Sequence, residues 1–170
     1  MRISDKILLG ASVAAGIALG GLSPVEAREV VPFDAGYSAG TIVVKTGERK
    51  LYYVLGSGQA MRYTVAVGRP GKEWAGATTI ARKEVDPIWG PPAEVKRDKP
   101  GLPDLVPPGP HNPLGPRAML LRGTEYAIHG TNKRESIGTR ASYGCIRMYN
   151  EDVVDLYEKV SIGTPVVVLR

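Results

Sequence analysis

The 170-residue sequence is poor in the residues that hold small folds together by cross-links or metals. It contains one cysteine, Cys145, and two histidines, His111 and His129. A single thiol excludes an intramolecular disulfide framework, and these three scattered residues are too few for a structural zinc site. The fold must therefore depend on its hydrophobic core, and we expect neither a metal nor another cofactor.

The sequence also lacks long runs of like charge, although its formal net charge is +5. Lysine and arginine are spread singly among aspartate and glutamate, which argues against nucleic-acid binding. No glycine-rich phosphate loop leads from a predicted strand into a helix, and no segment is repeated. The positive charge suits an anionic polymer outside the cytoplasm equally well.

Composition favours a single sheet-rich domain. Apolar residues make up 43% of the sequence and charged residues 23%, which is enough for one core and argues against disorder of the whole chain. The 21 glycines and 14 prolines are more than is usual and indicate many turns. Together with the length, these counts favour a sheet over a bundle of long helices.

Residues 1–27 have the pattern of a signal peptide for export. A short basic start precedes an uncharged stretch over residues 7–22, and small residues precede a cleavage position after Ala27. An uncleaved membrane anchor is the alternative, but this stretch is shorter than the about 20 residues that a span needs. We therefore predict an exported protein of the periplasm or cell envelope.

After the signal peptide we predict a linker over residues 28–40 and one folded domain over residues 41–170. Alternating and β-branched patterns predict seven strands, and the apolar spacing after Asn150 predicts a helix with Asn150 as its N-cap that ends at Gly163. The predicted strands cover residues 41–45, 50–55, 61–67, 78–82, 119–121, 126–129 and 164–169.

Residues 87–116 differ from the rest of the chain because ten of these thirty residues are proline. This density predicts that the segment contains no helix and no central strand. The segment also contains apolar residues, such as Trp89 and Leu114, with which it can pack against the domain. We interpret it as an ordered lid or wall.

Cys145 lies in the segment with the clearest chemical signal. A free thiol is mostly protonated at neutral pH, and a neighbouring imidazole or cation raises its thiolate fraction. Gly144 permits an unusual backbone angle, and backbone N–H groups in a tight turn around a thiol can stabilise an oxyanion. Arg147 projects to the same side as Cys145 if this stretch is extended, where it can bind a carboxylate or help to keep the sulfur anionic.

His129 ends a predicted strand on which it shares one face with Ala127, while Tyr126 and Ile128 share the other. No aspartate or asparagine stands out as a third catalytic member. The carbonyl of Gly130 is therefore a candidate for orienting the imidazole.

Two alternatives compete with catalysis by Cys145 and His129. A lone cysteine is commonly a small buried hydrophobe, and a lone histidine is commonly a structural residue. His111, inside the proline-rich segment, is a competing base. The glycine before the thiol, the nearby arginine and the export signal together favour the catalytic reading.

These residues resemble the L,D-transpeptidase catalytic domain family, also called the YkuD-like family. The family pattern is a His-Gly pair, a spacer, and then Ser-His-Gly-Cys followed by an apolar residue and Arg or Asn. Residues 129–130 (HG) and 142–148 (SYGCIRM) match it. Residues 42–68, 87–89 and 112–115 resemble further family phrases, so the resemblance covers almost all of the chain after residue 27.

The resemblance implies a mainly β fold of mixed sheets, forming a sandwich or barrel, with one or two short helices and the proline-rich segment as a lid. It implies Cys145 as the acylated nucleophile and His129 as its general base and acid. The carbonyl of Gly130 would hold the imidazole, and the amides of Gly144 and Cys145 would form the oxyanion hole.

The remaining motif residues are expected to form the substrate-binding part of the site. Ser142 and Tyr143 precede the glycine, and Arg147 would assist binding of a substrate carboxylate. Tyr143 departs from the family pattern, which most often has histidine there. This position is implied to contribute to the cleft wall more than to bond making.

The resemblance implies an exported cysteine acyltransferase acting on peptidoglycan stem peptides. Cys145 would form a thioester with release of D-Ala, and an amine acceptor, the diaminopimelate side chain, would give a 3-3 cross-link. Carbapenem β-lactams are the expected inhibitors.

Three alternatives remain open. The same site could use water, as an L,D-carboxypeptidase or cross-link hydrolase. It could instead use a protein lysine and attach a protein to the wall. Finally, the chain could be a non-catalytic wall-binding module with an inert cysteine.

Overall fold

The computed structural model describes residues 28–170, which form ten strands, two α-helices and a short 3₁₀ turn (Arg134–Ser136). The predicted signal peptide lies outside the described residues. The strands are β1 (Glu29–Pro32), β2 (Ile42–Lys45), β3 (Lys50–Gly56), β4 (Gln59–Gly68), β5 (Gly76–Val85), β6 (Arg117–Leu121), β7 (Ala127–His129), β8 (Arg140–Ser142), β9 (Ile146–Met148) and β10 (Pro165–Leu169). The helices are α1 (Ala93–Asp98) and α2 (Asn150–Lys159).

The sheet closes on itself through β4, one of its two longest strands. Its order is β1-β4-β3-β2-β10-β5-β6-β7-β9, and β9 also pairs with β4, which makes the sheet barrel-like. The first half of β4 pairs with β1 and β3, and its second half pairs with β9 and β8. Three pairings are parallel: β10 with β2, β7 with β9, and β4 with β8. The predicted mainly β fold with mixed sheets is confirmed.

The main core lies between the closed sheet and α2. It contains β-branched and long apolar residues from eight strands together with Val153 and Leu156 of the helix, all of them buried. A smaller cluster lies under β1, where the ring of Phe33 stacks on that of Tyr52 at 4.6 Å between centroids. Residues 28–40, predicted to be a linker, therefore contain both a paired strand and a core residue.

The proline-rich segment is ordered, but the expectation that it contains no helix is wrong. The helix α1 fits between Pro92 and Pro100, in the longest stretch of the segment that has no proline. Farther along, the buried side chain of Asn112 donates to the carbonyl oxygens of Pro87 at 2.7 Å and Pro107 at 3.1 Å. Asn112 thus ties the two ends of the segment together.

The prediction that Asn150 is the N-cap of α2 is also wrong. Tyr149 precedes the helix, and Asn150 is its first residue. The side-chain oxygen of Asn150 accepts from the N–H of Thr131 at 2.8 Å, so it fixes the chain that leaves β7 and does not cap its own helix. Neither helix of residues 28–170 combines the length and apolarity needed to cross a bilayer.

Asp152, in the first turn of α2, gives the fold a measurable pH dependence. Its side chain is buried, and burial together with the charge of Glu151 raises its pKa to about 6, although Arg28 opposes the shift. In the unfolded chain the pKa of this carboxyl is about 3.9, so the folded protein binds the proton more tightly. The resulting stabilisation is complete below about pH 4 and is lost as the pH rises through about 6.

We expect Asp152→Asn to remove this dependence. The variant should gain about 1–3 kcal/mol of unfolding free energy over the wild type at pH 8 and much less at pH 4, measured by denaturant unfolding. Asp34→Asn, which changes an exposed carboxylate, is the control and should show no such difference. An effect of Asp152→Asn of equal size at both pH values would contradict the assignment.

Candidate active site

The parallel pairing of β7 with β9 places the predicted histidine beside the strand that follows the predicted cysteine. Ile128 is paired with Ile146, and His129 is paired with Arg147. Paired residues point to the same side of a sheet, so the two isoleucines face the core while His129 and Arg147 face the opposite side. Cys145 directly precedes β9, and the charge of Arg147 acts on its thiol, so the cysteine lies within electrostatic reach of Arg147.

His129 is held in one tautomer by the backbone. It is only 4% exposed, and its Nδ1 lies 2.6 Å from the carbonyl oxygen of Gly130. A carbonyl oxygen can only accept, so Nδ1 carries the proton and Nε2 is left as the acceptor. Gly130 itself has no room for a side chain, because a Cβ there would overlap the side chain of Asn150.

Burial keeps the imidazole neutral. Burial and, to a smaller extent, the positive charge of Arg147 lower the pKa of His129 to about 4, although the bond to the Gly130 carbonyl acts in the opposite direction. At neutral pH, His129 is therefore able to accept a proton.

The thiol of Cys145 is also neutral in this resting state, contrary to the expectation that its neighbours favour the thiolate. Burial raises its pKa, and the N–H of Ala127 and the charge of Arg147 only partly oppose this shift. Cys145 keeps some accessible surface because a cavity reaches it. The site thus holds an uncharged thiol and an uncharged imidazole, each within electrostatic reach of Arg147.

Arg147 is a cation without a carboxylate partner among residues 28–170. Burial lowers its pKa, although the nearby Cys145 raises it. The guanidinium is partly accessible and stays charged at neutral pH. It therefore offers a partner to an anionic group that enters the site.

The turn before the thiol is braced by Ser142. Its buried hydroxyl donates to the carbonyl oxygen of Cys145 at 2.6 Å and accepts from the N–H of Gly144 at 3.1 Å. The Gly144 amide therefore already has a partner in this structure, and its role as an oxyanion donor stays a prediction. No hydrogen bond recorded within residues 28–170 engages the N–H of Cys145, so this amide is the available donor.

Two aromatic residues that sequence reasoning missed support this turn. Trp74 donates from its indole nitrogen to the carbonyl oxygen of Gly144 at 2.8 Å, and its ring stacks on Tyr126 at 5.3 Å. Tyr126 precedes β7, which begins at Ala127. It packs against the main core, to which Ile128 belongs, and it also lines the cavity of Cys145. No local pattern around Trp74 indicates this contact.

The cavity at Cys145 has a volume of about 320 Å³. Helix α1 forms one wall, and Tyr143, Tyr126 and Glu125 lie around the rest. The proline-rich segment thus contributes a wall of the site, as interpreted from the sequence. Within the described part of the chain, no three histidine, cysteine or acidic side chains converge as a metal site.

The competing base lies elsewhere. His111 is exposed, and its carbonyl oxygen accepts from the side chain of Asn132 at 2.8 Å. Its neighbours Pro110 and Asn112 line a second cavity, of about 250 Å³, which Cys145 does not reach.

Comparison with known proteins agrees on one family. The family model described as the L,D-transpeptidase catalytic domain (YkuD) matches residues 39–168. The Escherichia coli K12 protein described as a probable L,D-transpeptidase, YbiS, is 40% identical over 134 residues, which cover 74% of this chain and 43% of that protein. The chain thus spans less than half the length of the curated relatives that it matches over most of its own length.

Two solved structures share the fold. A Mycobacterium tuberculosis L,D-transpeptidase 3 carrying a faropenem-derived adduct has a TM-score of 0.58 at 19% identity and is covered to 60%, with 76% of this chain aligned. A Brucella melitensis chain described as a probable carnitine operon oxidoreductase, caia, has a TM-score of 0.58 at 44% identity. That match covers 87% of this chain and 96% of the Brucella chain.

The backbone of Gly144 permits a test of the turn before the thiol. Its φ is +124°, and a Cβ at this position would overlap the ring of Tyr126. We expect Gly144→Ala to lower the unfolding free energy by about 2–4 kcal/mol, from backbone strain and overpacking together. Gly58→Ala is the matched control, because Gly58 also has a positive φ but open space around it, and should cost about 1–2 kcal/mol. Equal losses in the two variants would contradict the close contact with Tyr126.

The resting protonation state can be measured by the ultraviolet absorbance of a thiolate. Because burial raises the pKa of Cys145, we expect no difference in thiolate absorbance between the wild type and Cys145→Ser at pH 7. A difference should appear only in alkaline solution. A thiolate signal already present at pH 6 would show that a thiolate–imidazolium pair exists at rest.

Proposed function

Since the chain belongs to the family of L,D-transpeptidase catalytic domains, we propose that it is an exported peptidoglycan L,D-transpeptidase that works through a Cys145 thioester. One observation carries the proposal: the only thiol of the chain lies at a cavity, directly before strand β9, and β9 pairs through Arg147 with a buried imidazole whose Nε2 is left as the acceptor.

Acylation begins when the donor peptide fills the cavity. The sulfur of Cys145 attacks the carbonyl carbon between the L-centre of diaminopimelate and the terminal D-Ala, while its proton passes to Nε2 of His129. The carbonyl of Gly130 holds the ring and stabilises the imidazolium through Nδ1–H. A neutral pair suits this step, because the ions form only once the substrate is in place.

The oxyanion that forms on the carbonyl needs hydrogen-bond donors. The N–H of Cys145 is the candidate donor, and Ser142 keeps the turn rigid by bonding both the Gly144 amide and the Cys145 carbonyl. Arg147 lies on the same face as His129 and binds a carboxylate of the stem peptide.

The tetrahedral intermediate collapses when the C–N bond to D-Ala breaks. The leaving amine takes the proton from His129, and a thioester remains on Cys145. An amine acceptor then attacks the thioester, passing a proton to His129, and the departing sulfur recovers that proton. With the diaminopimelate side chain as acceptor, the product is a 3-3 cross-link.

We infer the cellular location of the enzyme from the pattern of residues 1–27 and from the net charge of the chain. The signal-peptide pattern assigns the enzyme to the periplasm or cell envelope, where peptidoglycan lies. The net charge of +5 favours association with a wall polymer rich in carboxylates. A β-lactam of the carbapenem type would acylate the same thiol.

The roles of Cys145 and His129 predict the loss of products in matched variants. Cys145→Ala should abolish 3-3 cross-linked dimers made from a stem tetrapeptide, and His129→Ala should lower their rate at least about 100-fold, since general base catalysis is lost. His111→Ala is the control and should keep wild-type activity. Mass spectrometry of the products measures all three, and full activity of Cys145→Ala would refute the mechanism.

The same product analysis separates the alternatives. Tripeptide without dimers, even when an amine is added, would identify a carboxypeptidase, and cleavage of existing cross-links would identify a hydrolase. A muropeptide linked to a protein lysine would identify a tethering enzyme. Binding to the wall without any product and without a carbapenem adduct would leave a wall-binding module. Slow labelling by a small thiol reagent does not discriminate, because a buried catalytic thiol also reacts slowly.

A further inference from the structure

Helix α1 walls the Cys145 cavity but cannot hold its own position. It has six residues, of which only Val95 is buried, and it has no side-chain cap. A helix this short is not stable by itself, and prolines flank it on both sides. Its place at the cavity must therefore come from tertiary contacts.

Two carboxylates of α1, one turn apart, supply such contacts. Glu94 forms an ion pair with Lys72 at 2.5 Å, and Asp98 forms one with Arg69 at 2.8 Å. Both cations lie in the loop between β4 and β5, which also carries Trp74. The helix is thus attached to the loop that supports the turn before Cys145.

Tyr143 completes the attachment from the cysteine side. Its hydroxyl donates to the same oxygen of Asp98 that binds Arg69, at 2.7 Å, and the guanidinium of Arg69 lies 4.0 Å from the centre of its ring. Tyr143 and Arg69 together hold the pKa of Asp98 below its ordinary value, so Asp98 is anionic and accepts both bonds at neutral pH. We call Tyr143, Asp98 and Arg69 the wall clamp.

We propose that Tyr143 and Asp98 are positioning residues, which hold α1 against the Cys145 cavity so that the donor peptide binds against a fixed wall. This proposal rests on the proposed function, and it assigns control of the affinity for the donor peptide to the wall clamp. The clamp touches the wall and the turn but not the sulfur, so it should affect substrate binding more than bond making.

The departure from the family pattern fits this role. The histidine more usual at position 143 has a shorter side chain than tyrosine and does not reach as far from the backbone. Tyr143→His should therefore loosen the wall, as Tyr143→Phe does by removing only the hydroxyl.

The mobility of the wall can be measured without any turnover. Lys96 and Arg97 place two trypsin sites inside α1, whereas Lys99 is protected because Pro100 follows it. We expect Tyr143→Phe and Asp98→Asn to raise the rate of cleavage after Lys96 and Arg97, and the rate of Cys145 alkylation by iodoacetamide, by about threefold to tenfold. Tyr149→Phe is the control, since its ring contacts Arg134 outside the cavity, and both rates should stay unchanged.

Kinetics with the stem tetrapeptide then test positioning. In Tyr143→Phe and Asp98→Asn, KM should rise about threefold to tenfold while kcat stays within about twofold, the pattern expected when binding common to the ground and transition states is lost. The double variant should be no worse than the worse single variant, because both remove one contact.

Three results would overturn the proposal. The first is unchanged cleavage and alkylation in both variants, and the second is a fall in kcat with KM unchanged, which would place Tyr143 in the chemistry. The third is a double variant in which the rise in KM equals the product of the rises in the two single variants. If the wild type showed no turnover, the proposed function would fail, yet the cleavage and alkylation rates would still decide whether the clamp holds the wall.

Discussion

The parallel register between β7 and β9 is the constraint on which the site depends. Because side chains alternate along a strand, pairing Ile128 with Ile146 turns both into the core and turns His129 and Arg147 to the other face, with Cys145 directly before β9. A slip of one residue would turn the charged arginine into the core and turn the isoleucines out of it. The hydrophobic core therefore fixes the chemistry on the opposite face, and the closure of β9 onto β4 holds that register in place.

The same burial decides how the nucleophile must work. Removing a thiol and an imidazole from water disfavours their charged forms. Burial therefore raises the pKa of Cys145 and lowers the pKa of His129, and both groups are neutral. Activation then comes from orientation: the Gly130 carbonyl leaves Nε2 open, Ser142 braces the turn, and Arg147 supplies a fixed cation. In such a site the thiolate and the imidazolium form only after the substrate has excluded the remaining water. A wall fixed at the cavity also helps to exclude that water.

Much of the fold could be predicted from local pattern, because alternating β-branched residues such as those of β2 and β4 specify strands wherever they pair. The strand order could not, since neither the β10–β2 pairing nor the closure through β9 leaves a local signal. Cys145 and His129 could be identified from the sequence because cysteine and histidine are rare in this chain and each of the two residues has a glycine next to it. Tertiary contacts decided the rest: Trp74 under the turn, the occupied Gly144 amide, and Asn150 bonded to Thr131 in preference to its own helix.

The most direct test of the central claim is the intact mass of the protein after incubation with a stem tetrapeptide and no acceptor. The account predicts that the wild type gains the mass of the tetrapeptide less one D-Ala, on Cys145 alone, with one D-Ala released per adduct. Release of D-Ala by Cys145→Ala at the wild-type rate would contradict it, because the bond would then be broken without the sulfur.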